Sequence, residues 1–266
     1  MTPTSEWQLA LDAVDTAFAQ PPAFDRPMSG CTRCLTESDL LLLGGDVSGV
    51  SDDLLGYFVR KVPDHWDDDQ YPVLWRRLFP RAVRMWGPGL ETDPSLAMSH
   101  LHGAGLASWP DPERDAVDQA FRALLSLALT DGRRPTAVFD MLEGIAAATD
   151  GIAPWLSHLA AVPGREADAG LARVALSWGA EVLWEDLQFT WYYSGRIDEV
   201  ADWLPTLRPR LTSFAAMHPR CKTAVDALAA LSALERGERA PWFYPGASNV
   251  LPLITAGSAS PRPWAP

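Results

Sequence analysis

Apolar residues return every three or four positions along most of this chain, and the largest of them are tryptophans. Twelve of the 266 residues are Trp, nearly all in segments with a single apolar face at helical spacing. That combination predicts broad helix–helix interfaces filled by large side chains. Trp7, Leu11, Val14 and Phe18 step by four, three and four. The same face runs through Leu54, Phe58 and Val62, through Trp75, Phe79, Val83 and Trp86, and through Val117, Phe121, Leu124 and Ala128. No β-branched alternation is long enough to read as a strand. The expectation is an all-α domain over 1–238, with about ten to twelve helices joined by short loops. They would be packed helical hairpins, either HEAT-like or an irregular multi-helix bundle.

Local signals place the helix ends. Thr36-Glu-Ser-Asp39 has the form of a capping box, with Asp where Glu or Gln is usual. Ser51 is an N-cap candidate, and Asp67-Asp68-Asp69 puts negative charge where a helix begins. Pro80 lies inside the next apolar face and predicts a kink or a split. Asp111-Pro112-Glu113 is a start signal, and Pro205 divides 197–204 from 207–217. The longest helix is expected over 166–193 and the last over 224–235. In 239–266, six prolines and, from Ala240 onward, a single charged side chain, Arg262, predict a Pro-rich extended or disordered tail. Trp242, Phe243 and Tyr244 would anchor its start.

Composition excludes some functions. Net charge is 22 − 34 = −12, and no cluster of Lys and Arg is present, which argues against nucleic acid as a partner. The first twenty residues carry Glu6, Asp12 and Asp15 and lack the basic and apolar regions of a secretory signal. No apolar run approaches the roughly 20 residues that span a bilayer. A cytoplasmic protein with no membrane partner is expected. Three cysteines, an odd number, do not suggest a disulfide framework.

Few residues carry candidate chemistry. Cys31-x-x-Cys34 and His218-Pro-Arg-Cys221 together would supply a Cys3His zinc set, clamping two distant parts of the chain. A redox pair and plain packing cysteines are the alternatives; thioredoxin-like chemistry needs a βαβ setting. No other cofactor is expected. Asp67-Asp68-Asp69 resembles the aspartate-rich Mg2+ motif of helical terpenoid synthases. The companion motif is missing, because Asn249 is the only asparagine, so a solvated helix start is the plainer reading. On the long helix, Leu171, Val174, Trp178, Glu181, Glu185, Gln188 and Tyr192 form a row that turns polar midway. If it faces inward, Trp178, Glu181, Trp184, Glu185, Gln188 and Tyr192 line a ligand pocket. If Leu176, Leu183 and Leu187 face the core instead, the carboxylates are solvated. His100, His102 and His158 stand alone and read as hydrogen-bonded core or surface residues.

The early Cys31-x-x-Cys34, the leucine-spaced helix after it, the Trp-ended segment from Phe58 to Trp66, the acidic start before Asp69 to Pro80, and the Trp-rich stretch from Trp178 to Tyr193 carry a resemblance. The chain is similar to a group of bacterial all-helical proteins to which no activity is assigned. It departs from that pattern at His65-Trp66-Asp67, where the group has a Trp-Gly pair, and at Trp75 and Phe79. The resemblance implies an all-helical, intracellular protein. With no catalytic motif in the chain, the leading functional expectation is a non-enzymatic interaction or adaptor protein that holds a protein partner. The alternatives are a small-molecule-binding protein or enzyme using the Trp/Glu pocket, and a structural zinc protein using Cys31, Cys34, His218 and Cys221.

Overall fold

The computed structural model describes residues 2–87, 94–132, 137–183 and 197–238, without the side chains of Ala180, Glu181, Leu183 and Ile197. It is all-α: among the described residues there are twelve α-helices, five short 3-10 turns and no strand. The chain divides into two compact units, Met1–Val162 and Pro163–Pro266.

The first unit contains α1 (Pro3–Ala17), α2 (Glu37–Gly44), α3 (Asp52–Val59), α4 (Gln70–Ala82), α5 (Ser95–Gly103), α6 (Asp111–Thr130), α7 (Ala137–Thr149) and α8 (Ala153–Ala161). Its most extensive pairings are α1 with α6 and α5 with α7. These partners are not neighbours in sequence, so an irregular bundle describes the unit better than a stack of hairpins. Rings fill the space between the helices. Phe18, Phe79 and Trp109 meet in a triangle with centroids 5.3 to 5.9 Å apart. Phe79 continues to Trp86, Phe121 and Trp155. A second cluster joins Phe58, Trp66, Tyr71 and Trp75. All eight tryptophans with described side chains are buried, as the periodicity predicted.

The second unit contains α9 (Arg165–Leu183), α10 (Ile197–Trp203), α11 (Arg208–Met217) and α12 (Lys222–Glu235), with α9 laid along α12. Its longest helix is described only to Leu183; the expected continuation to 193 and the tail 239–266 lie outside the described residues.

Caps formed where the sequence placed them. The Thr36 N–H donates to Asp39 Oδ2 at 2.9 Å, and the Asp39 N–H donates to Thr36 Oγ1 at 3.1 Å. Asp therefore closes the box in place of Glu. Ser51 Oγ accepts from the Leu54 N–H. Pro80 does not split the helix. The α-helix runs through it to Ala82, then tightens into a 3-10 turn over Val83–Trp86. The Arg84 guanidinium donates to the Pro80 carbonyl, and Leu78, Phe79, Ala82 and Val83 around it have no exposed surface. That burial holds the helix together past the lost hydrogen bond.

Candidate metal centre

The loop before α2 is tied down on both sides. Gln70, 2% exposed at the first turn of α4, accepts from the Ser29 N–H at 2.8 Å and donates to the Pro27 carbonyl at 3.0 Å. Arg26 reaches Asp67 and Asp69 at 3.0 and 2.7 Å. The aspartate triplet is therefore engaged by a side chain of its own unit. Gly30 then pairs with Trp66 in an isolated antiparallel bridge, and the Cys31 N–H donates to the His65 carbonyl at 2.8 Å. A Cβ at Gly30 would sit 3.2 Å from that carbonyl and 3.3 Å from the Trp66 ring. The two segments approach this closely because Gly30 has no side chain.

Both halves of the site are tight turns. The N–H groups of Cys34 and Leu35 donate to the Cys31 carbonyl, each at 3.0 Å, which curls Cys31-Thr-Arg-Cys34 into one turn. Leu35 is buried beneath it. On the other side, Pro63 opens a 3-10 turn over Pro63–His65, and the Trp66 N–H closes it on the Pro63 carbonyl at 2.9 Å. Trp66, buried against Phe58 and Tyr71, fixes where His65 can point. The Tyr57 hydroxyl on α3 donates to the Cys34 carbonyl at 2.9 Å.

The result is a cluster of Cys31, Cys34 and His65 whose ligand atoms all lie within 4.8 Å of one another. All three residues are half-buried. The His65 Nδ1 is buried with no hydrogen-bond partner, which in a folded interior leaves a desolvated group uncompensated. The Cys31 thiol is pulled from 9.0 down to about 7, first by the His65 side chain and then by the Arg33 N–H, with smaller help from Cys34. The Lys61 ammonium stands 3.9 Å from the Cys34 sulfur and 4.4 Å over the Tyr57 ring. Its pKa is raised, chiefly by Tyr57 and also by the Cys34 charge.

Two thiolates and an imidazole form a donor set suited to Zn2+ and other borderline-soft ions. A tetrahedral zinc–sulfur centre holds its ligand atoms about 3.7 Å apart. The cluster would contract by at most about 1 Å to meet it. Three protein donors leave a fourth position for water or an incoming ligand.

His65 was not among the ligands expected from the sequence. Cys31 and Cys34 were paired there with His218 and Cys221, which lie in the second unit, the first at the C-cap of α11 and the second at the N-cap of α12. Within the first unit the third donor is His65. No spacing rule links it to the Cys-x-x-Cys; the Gly30–Trp66 pairing delivers it.

Of the expected Trp/Glu pocket, Trp178 is buried with its ring 6.0 Å from that of Trp203. The Glu181 side chain and all of Trp184, Glu185, Gln188 and Tyr192 lie outside the described residues. Two of the lone histidines, His100 and His158, are held by backbone carbonyls. His100 Nδ1–H donates to the Val59 carbonyl at 3.0 Å. His158 Nε2 lies 3.0 Å from the Arg122 carbonyl and 3.1 Å from Ser126 Oγ. A carbonyl only accepts, so Nε2 carries the proton and cannot act as a base toward Ser126.

No protein-family model matches the chain, and neither a curated protein nor a solved structure matches it. Among the described residues no helix is long and apolar enough to cross a membrane.

Proposed function

We propose that this is a metal-binding helical protein that holds one zinc-class ion on Cys31, Cys34 and His65. The observation that carries the reading is the convergence of two thiols and an imidazole within 4.8 Å; the unpartnered, buried Nδ1 of His65 lends it further support. The ion would lock the 31–34 turn to the 63–65 turn, so its binding energy would add to the stability of the first unit. Free thiols of this kind persist in a reducing compartment, in keeping with a cytoplasmic setting.

Metal analysis and Co2+ substitution test this directly. Protein purified without chelator should carry close to one equivalent of Zn2+. The Co2+ form should show thiolate charge-transfer bands and the d–d pattern of a tetrahedral site. Cys31→Ser with Cys34→Ser should abolish both, His65→Ala should weaken binding about 10-fold or more, and His218→Ala with Cys221→Ser should leave them unchanged. Metal content that tracks the second pair instead would overturn the assignment.

A second reading, an adaptor for a protein partner, is favoured by Leu41 and Leu42, which are 67% and 43% exposed on α2 directly after the Cys turn. In that reading a partner covers these leucines. Leu41→Glu should abolish capture of a specific protein while zinc content stays the same, and unchanged capture would remove α2 from the account.

A further inference from the structure

The second unit holds a surface cleft of about 530 Å3 that the metal centre does not use. It is built where the start of α9 meets the end of α11 and the turn into α12. Its lining includes Arg165, Phe214, Met217, His218, Arg220 and Cys221. The size falls within the usual range for small-molecule sites, about 300 to 1,000 Å3.

Its walls are of two kinds. Phe214, 3% exposed, is among the residues lining the cleft, with the His218 ring 4.8 Å from its own. Met217, 67% exposed, adds a flexible apolar rim of the sort that adapts to varied ligands. Arg165 and Arg220 supply two guanidinium groups. Neither has an ion-pair partner among the described residues.

Their freedom stands out against the neighbouring arginines. Arg208 is held by Glu235 at 2.9 Å and Arg210 by Asp168 at 2.6 Å. The Asp168 bond matters most, because Asp168 lies one turn from Arg165 and is committed elsewhere. Glu166, next to Arg165, is exposed and does not line the cleft. In a chain of net charge −12, two guanidiniums beside an aromatic ring form a local positive site. Arg165 also stands in the first turn of α9, the end where a cation is least favoured by the helix dipole.

We propose that this cleft binds a small carboxylate that carries an apolar body, of the arylacetate or short fatty-acid kind. The planar guanidinium forks match a carboxylate, and the Phe214 and Met217 surface takes the apolar part. Inorganic phosphate would satisfy only the first requirement, and a neutral aromatic alcohol only the second.

The test uses the full chain and three probes: phenylacetate, 2-phenylethanol and inorganic phosphate. Calorimetric titration should show saturable binding of phenylacetate, with each of the other two at least about tenfold weaker. Phenylacetate should also slow carboxymethylation of Cys221, read by mass spectrometry, while leaving Cys31 and Cys34 unaffected. Arg165→Ala with Arg220→Ala should weaken phenylacetate about tenfold or more without changing the circular dichroism or the melting temperature, since both side chains are exposed. Absence of saturation by phenylacetate overturns the proposal. So does phosphate binding as tightly as phenylacetate, which would make the cleft a simple anion patch, or an unchanged rate at Cys221.

Discussion

The two units bury their helices by different means. The first fills its interior with rings: Phe58, Tyr71, Trp75, Phe79 and Phe121, on α3, α4 and α6, are each under 3% exposed and belong to two clusters of touching rings. The second brings α9 and α12 together on small residues. Ala167, Ala172 and Ala175 on one helix, and Ala224, Ala227 and Ala230 on the other, have no exposed surface. Helix separation depends on the side chains at the crossing. A ring core therefore stabilises through large buried area per residue, and an alanine core through close approach. Two glycines sharpen the contrast. At Gly144 on α7 a Cβ would meet the Ser95 Cα at 2.7 Å and the Met98 Cβ at 2.9 Å, both on α5. At Gly179 on α9 the nearest atom would be the Ala230 Cβ at 3.5 Å, an ordinary contact. One glycine is required by its neighbour; the other is only permitted.

The ring core should be the more fragile to truncation. Trp75→Ala removes a fully buried indole from the Phe58–Trp66–Tyr71 cluster and should cost about 3–5 kcal/mol. Urea unfolding followed by peptide-resolved hydrogen exchange would show the loss in the first unit. A loss under 1 kcal/mol would mean that the rings do not form a packed core. Next in size, Gly144→Ala should destabilise by about 1–3 kcal/mol, because backbone atoms of α5 must move. Gly179→Ala should do the opposite, stabilising by about 0.5–1 kcal/mol through helix propensity with no clash. If both substitutions shift the melting temperature in the same direction, the difference drawn between the two crossings is wrong.

Acid should also separate the units. His100 and His158, both in the first unit, have pKa values lowered by burial, only partly offset by their carbonyl partners Val59 and Arg122. Below about pH 6.5 the unfolded chain takes up protons on these residues that the folded chain resists. Their contribution is therefore present above that pH and is lost as pH falls through the lowered folded values. Denaturant midpoints for the first unit should drop between pH 7.5 and 5.5. His100→Asn, which keeps a donor for the Val59 carbonyl, should flatten that slope. An unchanged slope would show that His100 does not resist protonation in the folded state.

The helices were legible because their signals are local. Thr36 and Asp39 sit three apart in sequence and meet in the fold for that reason alone, and Ser51 finds the Leu54 N–H in the same way. Pro80 does not split its helix, because its effect depends on what packs around it. The metal centre was half legible. Cys31 and Cys34 announce themselves by their two-residue spacer, but His65 lies 31 positions past Cys34, beyond the reach of any spacing rule. Its weak trace was Gly30, whose missing side chain admits the His65 carbonyl.

The periodicity of Trp7 to Phe18 and of Trp75 to Trp86 was enough to determine an all-α protein with tryptophans inside, since a 3.6-residue repeat has one structural solution. Which faces meet is another matter. Any apolar stripe can bury itself against any other of matching shape, and the sequence does not say that α1 pairs with α6 or α9 with α12. The same holds for chemistry. Three ligand atoms within 4.8 Å, and two arginines lining one cleft with Phe214, are relations between distant segments. Only the packing of the helices brings them into being.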